Sequence, residues 1–311
     1  MQIVLLFPGQ GSQKPGMGKE LAAVYPAAAS VFHTMDATLG VSLSTLLFEG
    51  PDDELTRTIN AQPALLAHSA AAWAVVKGRL ATHVVAAAGH SLGEFSAYHA
   101  AGALTLSSAL TLVRRRGELM YETGNSRPGA MAAIIGDLSK PIEAVCADAS
   151  AAGIVVPANY NCPGQIVISG ETRAVERAME LAKAAGAKRA IKLNVSGAFH
   201  SPLMEPAIAG LEQAIRLASL TDAHFPVFAN VDGEPYTAAG NSSALLLRQL
   251  TSPVRWATVV GNLATRFPQA LFVELGAGAV LQGLVKKIAS GVQVVSCGTP
   301  TEVELLLAKV A

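Results

Sequence analysis

The sequence is poor in the signals that announce a compartment, a cofactor or a membrane. It holds three cysteines, Cys146, Cys162 and Cys297. They are too few for a disulfide framework and lack the C-x-x-C spacing of a metal or redox site, so buried free thiols are expected. There is no excess of charge: 23 basic side chains meet 23 acidic ones. That balance gives no global pull toward nucleic acid or an anionic membrane surface, and neither is expected as a partner. No stretch reaches the ~18 uninterrupted apolar residues of a membrane helix. The richest, Pro63 to Val76, contains His68 and Ser69 and reads as a buried helix. Met1 to Phe7 is apolar but has no basic flank and breaks at Pro8-Gly9, so it reads as a first buried strand rather than a signal peptide. Together these absences lead to the expectation of a cytoplasmic protein. What remains is a chain of 311 residues, 51% apolar, enough for one large domain or two smaller ones around a sizeable core.

Strand and helix patterns alternate, which predicts an α/β fold with a parallel sheet. Strands are expected at Ile3–Phe7, Val84–Ala88, Pro226–Asn230, Leu271–Glu274 and Val292–Val295. The middle of the chain differs. Ala130–Ile135 reads as a strand, Lys140–Ala152 as a helix, Ile154–Ala158 and Gln165–Ser169 as strands joined by a loop from Tyr160. Glu171–Ala185 then reads as a helix and Lys188–Val195 as a strand. That β-α-β-β-α-β order is the split βαβ, or ferredoxin-like, unit. It predicts a small subdomain, residues 126–194, inserted into a larger α/β domain made of residues 1–125 and 195–311.

The strongest chemical signal is Val84 through Glu94. An apolar strand runs into Gly89-His90-Ser91-Leu92-Gly93, which fits G-x-S-x-G, and a helix follows from about Leu92. A sharp strand-to-helix turn of this kind projects a serine hydroxyl as a nucleophile. The backbone N–H of Leu92 faces the same point and can donate to an oxyanion. The alternative is a glycine-rich βα turn whose serine caps the helix. A serine nucleophile needs a base. Of seven histidines, His200 in Gly197-Ala-Phe-His-Ser-Pro-Leu-Met204 stands at the return from the small unit to the large one, where a cleft is expected. His90 is adjacent in sequence, but neighbours at such a turn point apart. No Asp or Glu motif declares a third member of a triad.

Arg116 is the next signal. In the helix expected over Leu106–Met120, Ala109, Leu112, Val113 and Met120 form an apolar stripe, and Arg116 lies in its middle. Arg114 falls on the polar side, in reach of Glu118 at i+4. A core-facing arginine pairs with a buried carboxylate or binds a ligand anion, and both readings stand at this level. The opening loop Phe7-Pro-Gly-Gln-Gly-Ser-Gln13 follows the first strand, at the carboxyl edge of a parallel sheet where sites form.

With Gln62-Pro63, Asn159 through Gly164, Gln249 through Trp256 and Glu274-Leu-Gly-Ala-Gly278, these motifs run nearly end to end. In that order they resemble the malonyl-CoA:acyl-carrier-protein transacylase family, which includes polyketide-synthase acyltransferases. The resemblance implies an α/β-hydrolase-like domain with a short parallel sheet and a ferredoxin-like insert. It implies Ser91 as the acyl-accepting nucleophile, His200 as general base and then acid, and the N–H groups of Gln10 and Leu92 as the oxyanion hole. Arg116 is implied to bind the malonyl carboxylate. Gln62 and Phe199 are implied to line the pocket, and a carbonyl at Gln249 to orient the histidine. The implied partners are malonyl-CoA and a phosphopantetheinylated acyl carrier protein. No cofactor or metal is expected, because a thioester is already activated. Ala198-Phe199-His200 stands closer to malonyl-selecting polyketide acyltransferases, and Phe95 replaces a tyrosine common after Gly-Glu. The pathway therefore stays open between fatty-acid synthesis, a trans-acting polyketide acyltransferase and the malonyl-transfer subunit of a malonate decarboxylase. A serine esterase or thioesterase is the rival reaction, and a scaffold without catalysis the rival class. Basic clusters at Lys188-Arg189 and Lys286-Lys287, with Lys183 and Lys192 nearby in sequence, are either a docking patch for an acidic carrier or ordinary solvated lysines.

Overall fold

The structure, a computed structural model, describes residues 1–310. Ten strands form two sheets: β1 (Ile3–Phe7), β2 (Val84–Gly89), β3 (Gly129–Ile135), β4 (Val155–Cys162), β5 (Gln165–Glu171), β6 (Arg189–Lys192), β7 (Val227–Phe228), β8 (Pro235–Tyr236), β9 (Leu271–Leu275) and β10 (Gln293–Cys297). The larger sheet has the order β10-β9-β1-β2-β7-β8, the smaller β4-β5-β3-β6. In the larger sheet β10, β9, β1, β2 and β7 run parallel, and only the β7–β8 pair is antiparallel. Every residue of β1 is buried, which fits a strand covered by helices on both faces. The smaller sheet is antiparallel throughout, in the spatial order expected of a β-α-β-β-α-β unit. It has its own apolar cluster, with Ile134, Val145, Ile168 and Val175 at the centre. The α/β class with a separate antiparallel unit thus agrees with the sequence pattern.

Three local differences have physical causes. The strand expected over Pro226–Asn230 pairs only at Val227 and Phe228, because Asn230 turns away from the ladder and gives its N–H to Glu94 Oε2 instead. The loop expected from Tyr160 is strand: β4 continues to Cys162 with two irregularities of register, and a two-residue turn suffices because Gly164 adopts φ 72°. The helix Leu106–Ser126 runs six residues beyond the expected end. Its start is fixed by Thr105, whose side chain accepts from the Ser108 N–H.

The 23-residue helix Thr58–Leu80 is buried on every face from Ala61 to Trp73 and packs against the Leu106–Ser126 helix. Gly117 makes that approach possible, since a Cβ there would lie 2.9 Å from the Thr58 carbonyl oxygen. β4 of the smaller sheet is tied to the segment before the Trp256–Arg266 helix at Val254, which gives its N–H to Ala158 O and takes one from Tyr160 N. No helix among the described residues is long and apolar enough to cross a membrane.

Candidate functional site

The carboxyl ends of β1, β2 and β7 meet at one point, and Ser91 stands there. β2 ends at Gly89, and after His90 and Ser91 the helix Leu92–Ala100 begins. Both glycines of the turn are required by close approach: a Cβ on Gly89 would lie 1.9 Å from the Gly93 carbonyl, and one on Gly93 would lie 2.0 Å from Phe7 O. Ser91 is held at φ 50°, ψ −104°. Among the described residues only Ser91, His200 and Ser219 combine a side chain with positive φ. Two of the three therefore face each other at this site, where stored backbone strain is characteristic of function.

Ser91 Oγ lies 2.7 Å from His200 Nε2, and His200 Nδ1 lies 2.9 Å from the backbone oxygen of Gln249. A carbonyl only accepts, so Nδ1 carries the proton and Nε2 presents its lone pair to the serine. His200 is 4% exposed. Burial, reinforced by the nearby Arg116 charge, pushes its pKa down to about 3, against the smaller opposing effect of the Gln249 carbonyl. The imidazole is neutral at physiological pH and able to take a proton.

Arg116 is 1% exposed and keeps its charge, although burial lowers its pKa to about 10. Its partners are neutral. Nη1 donates to Gln62 Oε1 at 2.7 Å, and Nη2 donates to Gln249 Oε1 at 2.9 Å and to Ser91 Oγ at 3.2 Å. The guanidinium also lies 5.2 Å above the Phe95 ring. Among the described residues no carboxylate forms an ion pair with it, while Arg114 takes Glu118 at i+4. Neutral acceptors hold the side chain in place and no carboxylate touches it, though the buried Glu94 opposes its charge from beyond Gln249. A cation with no direct anionic partner beside the serine is the electrostatic condition for an anionic ligand.

A cavity of about 320 Å³ opens over Ser91. Gln10, Leu92, Arg116, Phe199 and His200 line it from the larger unit, and Met131, Asn159, Val167 and Leu193 from the antiparallel one. Leu92 is the first residue of its helix, so its N–H has no intrahelical partner. Gln62 corrects an expectation: it is fully buried and lies behind Arg116 rather than on the cavity wall. Gln249 is likewise buried, under the serine.

Two residues that sequence reasoning missed complete the arrangement. Asn230 takes the Ser91 N–H on Oδ1 at 2.7 Å and gives Nδ2 to Gly89 O at 2.7 Å, bracing the turn from both sides. Glu94, fully buried, accepts from Gln249 Nε2 at 2.8 Å and from Asn230 N at 3.1 Å. Glu94 follows directly on the Gly89-His90-Ser91-Leu92-Gly93 turn, and that adjacency is the available signal. His90, the rival base, points away: its Nε2 meets Asn161 Oδ1 at 2.8 Å. Among the described residues no cluster of His, Cys, Asp or Glu could hold a metal ion.

Residues 4–299 match the family model described as an acyl transferase domain. A malonyl CoA-acyl carrier protein transacylase of Bacillus subtilis is 46% identical over 307 residues, 98% of this chain and 96% of that one. The transacylase of the same name from Salmonella typhimurium is 43% identical over 289 residues, 92% and 93% of the two chains. Among solved structures, an acyl-carrier-protein S-malonyltransferase of Bartonella henselae superposes with a TM-score of 0.95 at 40% identity, over 100% of this chain and 99% of that one. So does a malonyl-transacylase in complex with its type II polyketide-synthase acyl-carrier protein, at 39% identity and a TM-score of 0.95, over 99% and 100% of the chains. With the model spanning nearly the whole sequence and relatives this similar over their full lengths, the chain belongs to the acyl transferase family of malonyl-CoA:acyl-carrier-protein transacylases.

Proposed function

We propose that the enzyme moves a malonyl group from malonyl-CoA through a Ser91 acyl-enzyme to the phosphopantetheine thiol of an acyl carrier protein, for fatty-acid or polyketide synthesis. The observation that carries this reading is the meeting of three groups at one oxygen: Ser91 Oγ lies within hydrogen-bond distance of both His200 Nε2 and Arg116 Nη2. A base and a carboxylate anchor thus flank the same nucleophile.

In the first half-reaction His200 Nε2 takes the Ser91 hydroxyl proton as Oγ attacks the thioester carbon. The backbone N–H groups of Gln10 and Leu92 meet the developing oxyanion. Collapse breaks the carbon–sulfur bond, and His200 returns its proton to the CoA sulfur. In the second, the carrier thiol gives its proton to His200 and attacks the serine ester, which restores Ser91 Oγ–H. The Gln249 carbonyl oxygen takes the part an aspartate has in other triads, holding the imidazole tautomer without adding charge. Arg116 holds the malonyl carboxylate through the Nη2 N–H that points toward Ser91 Oγ and the Nη1 N–H not taken by Gln62. That anchor also distinguishes transfer from plain hydrolysis, since it fixes the acyl chain for the incoming thiol. We take residues 126–194 as a subdomain inserted between 1–125 and 195–311, closing the cavity from the opposite side, and the protein as cytoplasmic.

The test is transfer itself. Purified enzyme, malonyl-CoA and a holo carrier protein should give a carrier heavier by one malonyl group. Release of free malonate with no carrier labelling would make the enzyme a thioesterase instead.

A further inference from the structure

Glu94 has no part in the proton transfers above, yet it sits at the centre of the network that holds them. It is completely buried, Oε2 accepts two hydrogen bonds and Oε1 has no partner. An ionised carboxylate only accepts. The Gln249 side-chain amide therefore turns its NH2 toward Glu94, and its Oε1 is left facing the other way, onto Arg116 Nη2. The two ends of an amide are nearly equal in shape and opposite in polarity, so packing alone does not choose between them. Rotated by half a turn, the amide would set an NH2 group against the guanidinium. The same Gln249 gives Nε2 to Ser91 O at 3.0 Å and its backbone oxygen to His200 Nδ1 at 2.9 Å. Ser91 O, Arg116 Nη2 and Glu94 Oε2 all select the same amide orientation, and Glu94 adds the one negative charge to the set that anchors a residue touching the nucleophile, the base and the arginine.

We propose that Glu94 is a positioning residue for acyl selectivity: by fixing the Gln249 amide it aims Arg116 at the substrate carboxylate and sets the preference for malonyl over neutral acyl groups. The proposal rests on the malonyl-transfer reading of the site. It also carries a pH signature. Burial pushes the Glu94 pKa up to about 7, opposed by its Gln249 and Asn230 donors and by Arg116. The charged or titratable groups facing it are Arg116 from the Leu106–Ser126 helix, Asp232 from the turn after β7 and Tyr98 on its own helix. Protonation removes the negative charge that strengthens the Gln249 anchor, so malonyl preference should fall as pH drops through 7. His200 stays neutral across that range, its pKa held near 3, and does not supply this change.

The experiment is single-turnover acylation of Ser91 from equimolar malonyl-CoA and acetyl-CoA, read by intact-protein mass on either side of pH 7. It uses wild type, Glu94→Gln, Gln249→Ala and the double variant, with Tm as a folding check. Glu94→Gln keeps the shape and removes the charge. It should lower the malonyl/acetyl ratio about tenfold, the worth of one charge-assisted contact, and abolish the ratio's dependence on pH. In the Gln249→Ala background it should lower the ratio no further. A merely structural role would slow both acyl groups equally and leave the ratio alone; that outcome overturns the proposal, as do losses that multiply in the double variant. Wild type itself reports on the parent reading. If it shows no malonyl preference, malonyl transfer fails and this proposal with it, whereas wild-type preference with an unchanged Glu94→Gln ratio removes Glu94 alone. The wild-type pH series needs no substitution and stands even if a variant misfolds.

Discussion

Replacing Arg116 by alanine should convert a malonyl-selective enzyme into one that prefers neutral acyl groups. The side chain is 1% exposed, and its hydrogen-bond partners are the side-chain oxygens of Gln62 and Gln249 and Ser91 Oγ. A carboxylate entering beside Ser91 makes hydrogen bonds to a buried cation, worth roughly 1.5–3 kcal/mol in net terms. That corresponds to about ten- to a hundredfold in discrimination. Alanine also leaves Gln62 Oε1 and Gln249 Oε1 without their donor, at about 1–3 kcal/mol for each buried acceptor. Stability will therefore fall, and absolute rates will fall with it. The ratio of malonyl to acetyl transfer cancels that loss, because both acyl groups react on the same damaged fold. Competition between the two CoA esters on wild type, Arg116→Ala and Arg116→Lys is the assay. Arg116→Ala should lose the malonyl preference, and Arg116→Lys should recover only part of it, since an ammonium lacks the paired fork. Equal loss of both acyl groups in Arg116→Ala would refute the reasoning and leave Arg116 as a strut of the core.

Other outcomes follow from the same geometry. His200→Ala should slow acylation by ~10²–10⁴ in stopped-flow or quench measurements, and near-normal transfer would remove it as the base. Because burial and Arg116 hold the His200 pKa near 3, the folded state binds fewer protons there than an unfolded histidine titrating near 6.5. This group therefore makes stability rise with pH from about 3 to 6.5, and His200→Gln should flatten that part of a Tm-against-pH curve. Gly93→Ala places a methyl carbon 2.0 Å from Phe7 O, so it should abolish soluble expression or lower Tm severely; a normally stable variant would contradict the close approach. Reversing Lys286 and Lys287, both exposed on the helix that packs against β4, should raise KM for the carrier while leaving acylation by malonyl-CoA unchanged.

Some of the site was legible in sequence because the signal is local. Ser91 lies between an apolar strand and a helix, and Gly89 is required by a contact within the same turn, although Gly93 is required by Phe7 on the neighbouring strand. Arg116 is exposed as an anomaly by a period of 3.6, and the buried stripe of Ala109, Leu112, Val113 and Met120 surrounds it as the pattern requires. The rest depends on long-range closure. Glu94 resembles any acidic residue in the first turn of a helix, and its burial follows only once Asn230 and Gln249 arrive from 136 and 155 residues downstream. Gln62 sits in a helix apolar on every face, so no stripe marks it out. The apolar pattern places Asn230 at the end of a strand, whereas its polar contacts with the serine turn are what end that strand.

The most direct measurement is intact-protein mass after brief incubation with malonyl-CoA in the absence of carrier. Wild type should gain one malonyl group, peptide mapping should place it on Ser91, and holo carrier protein should remove it. Ser91→Ala should gain nothing. A malonyl adduct that persists in Ser91→Ala, or a labelled wild type that the carrier cannot discharge, would contradict acyl transfer through Ser91.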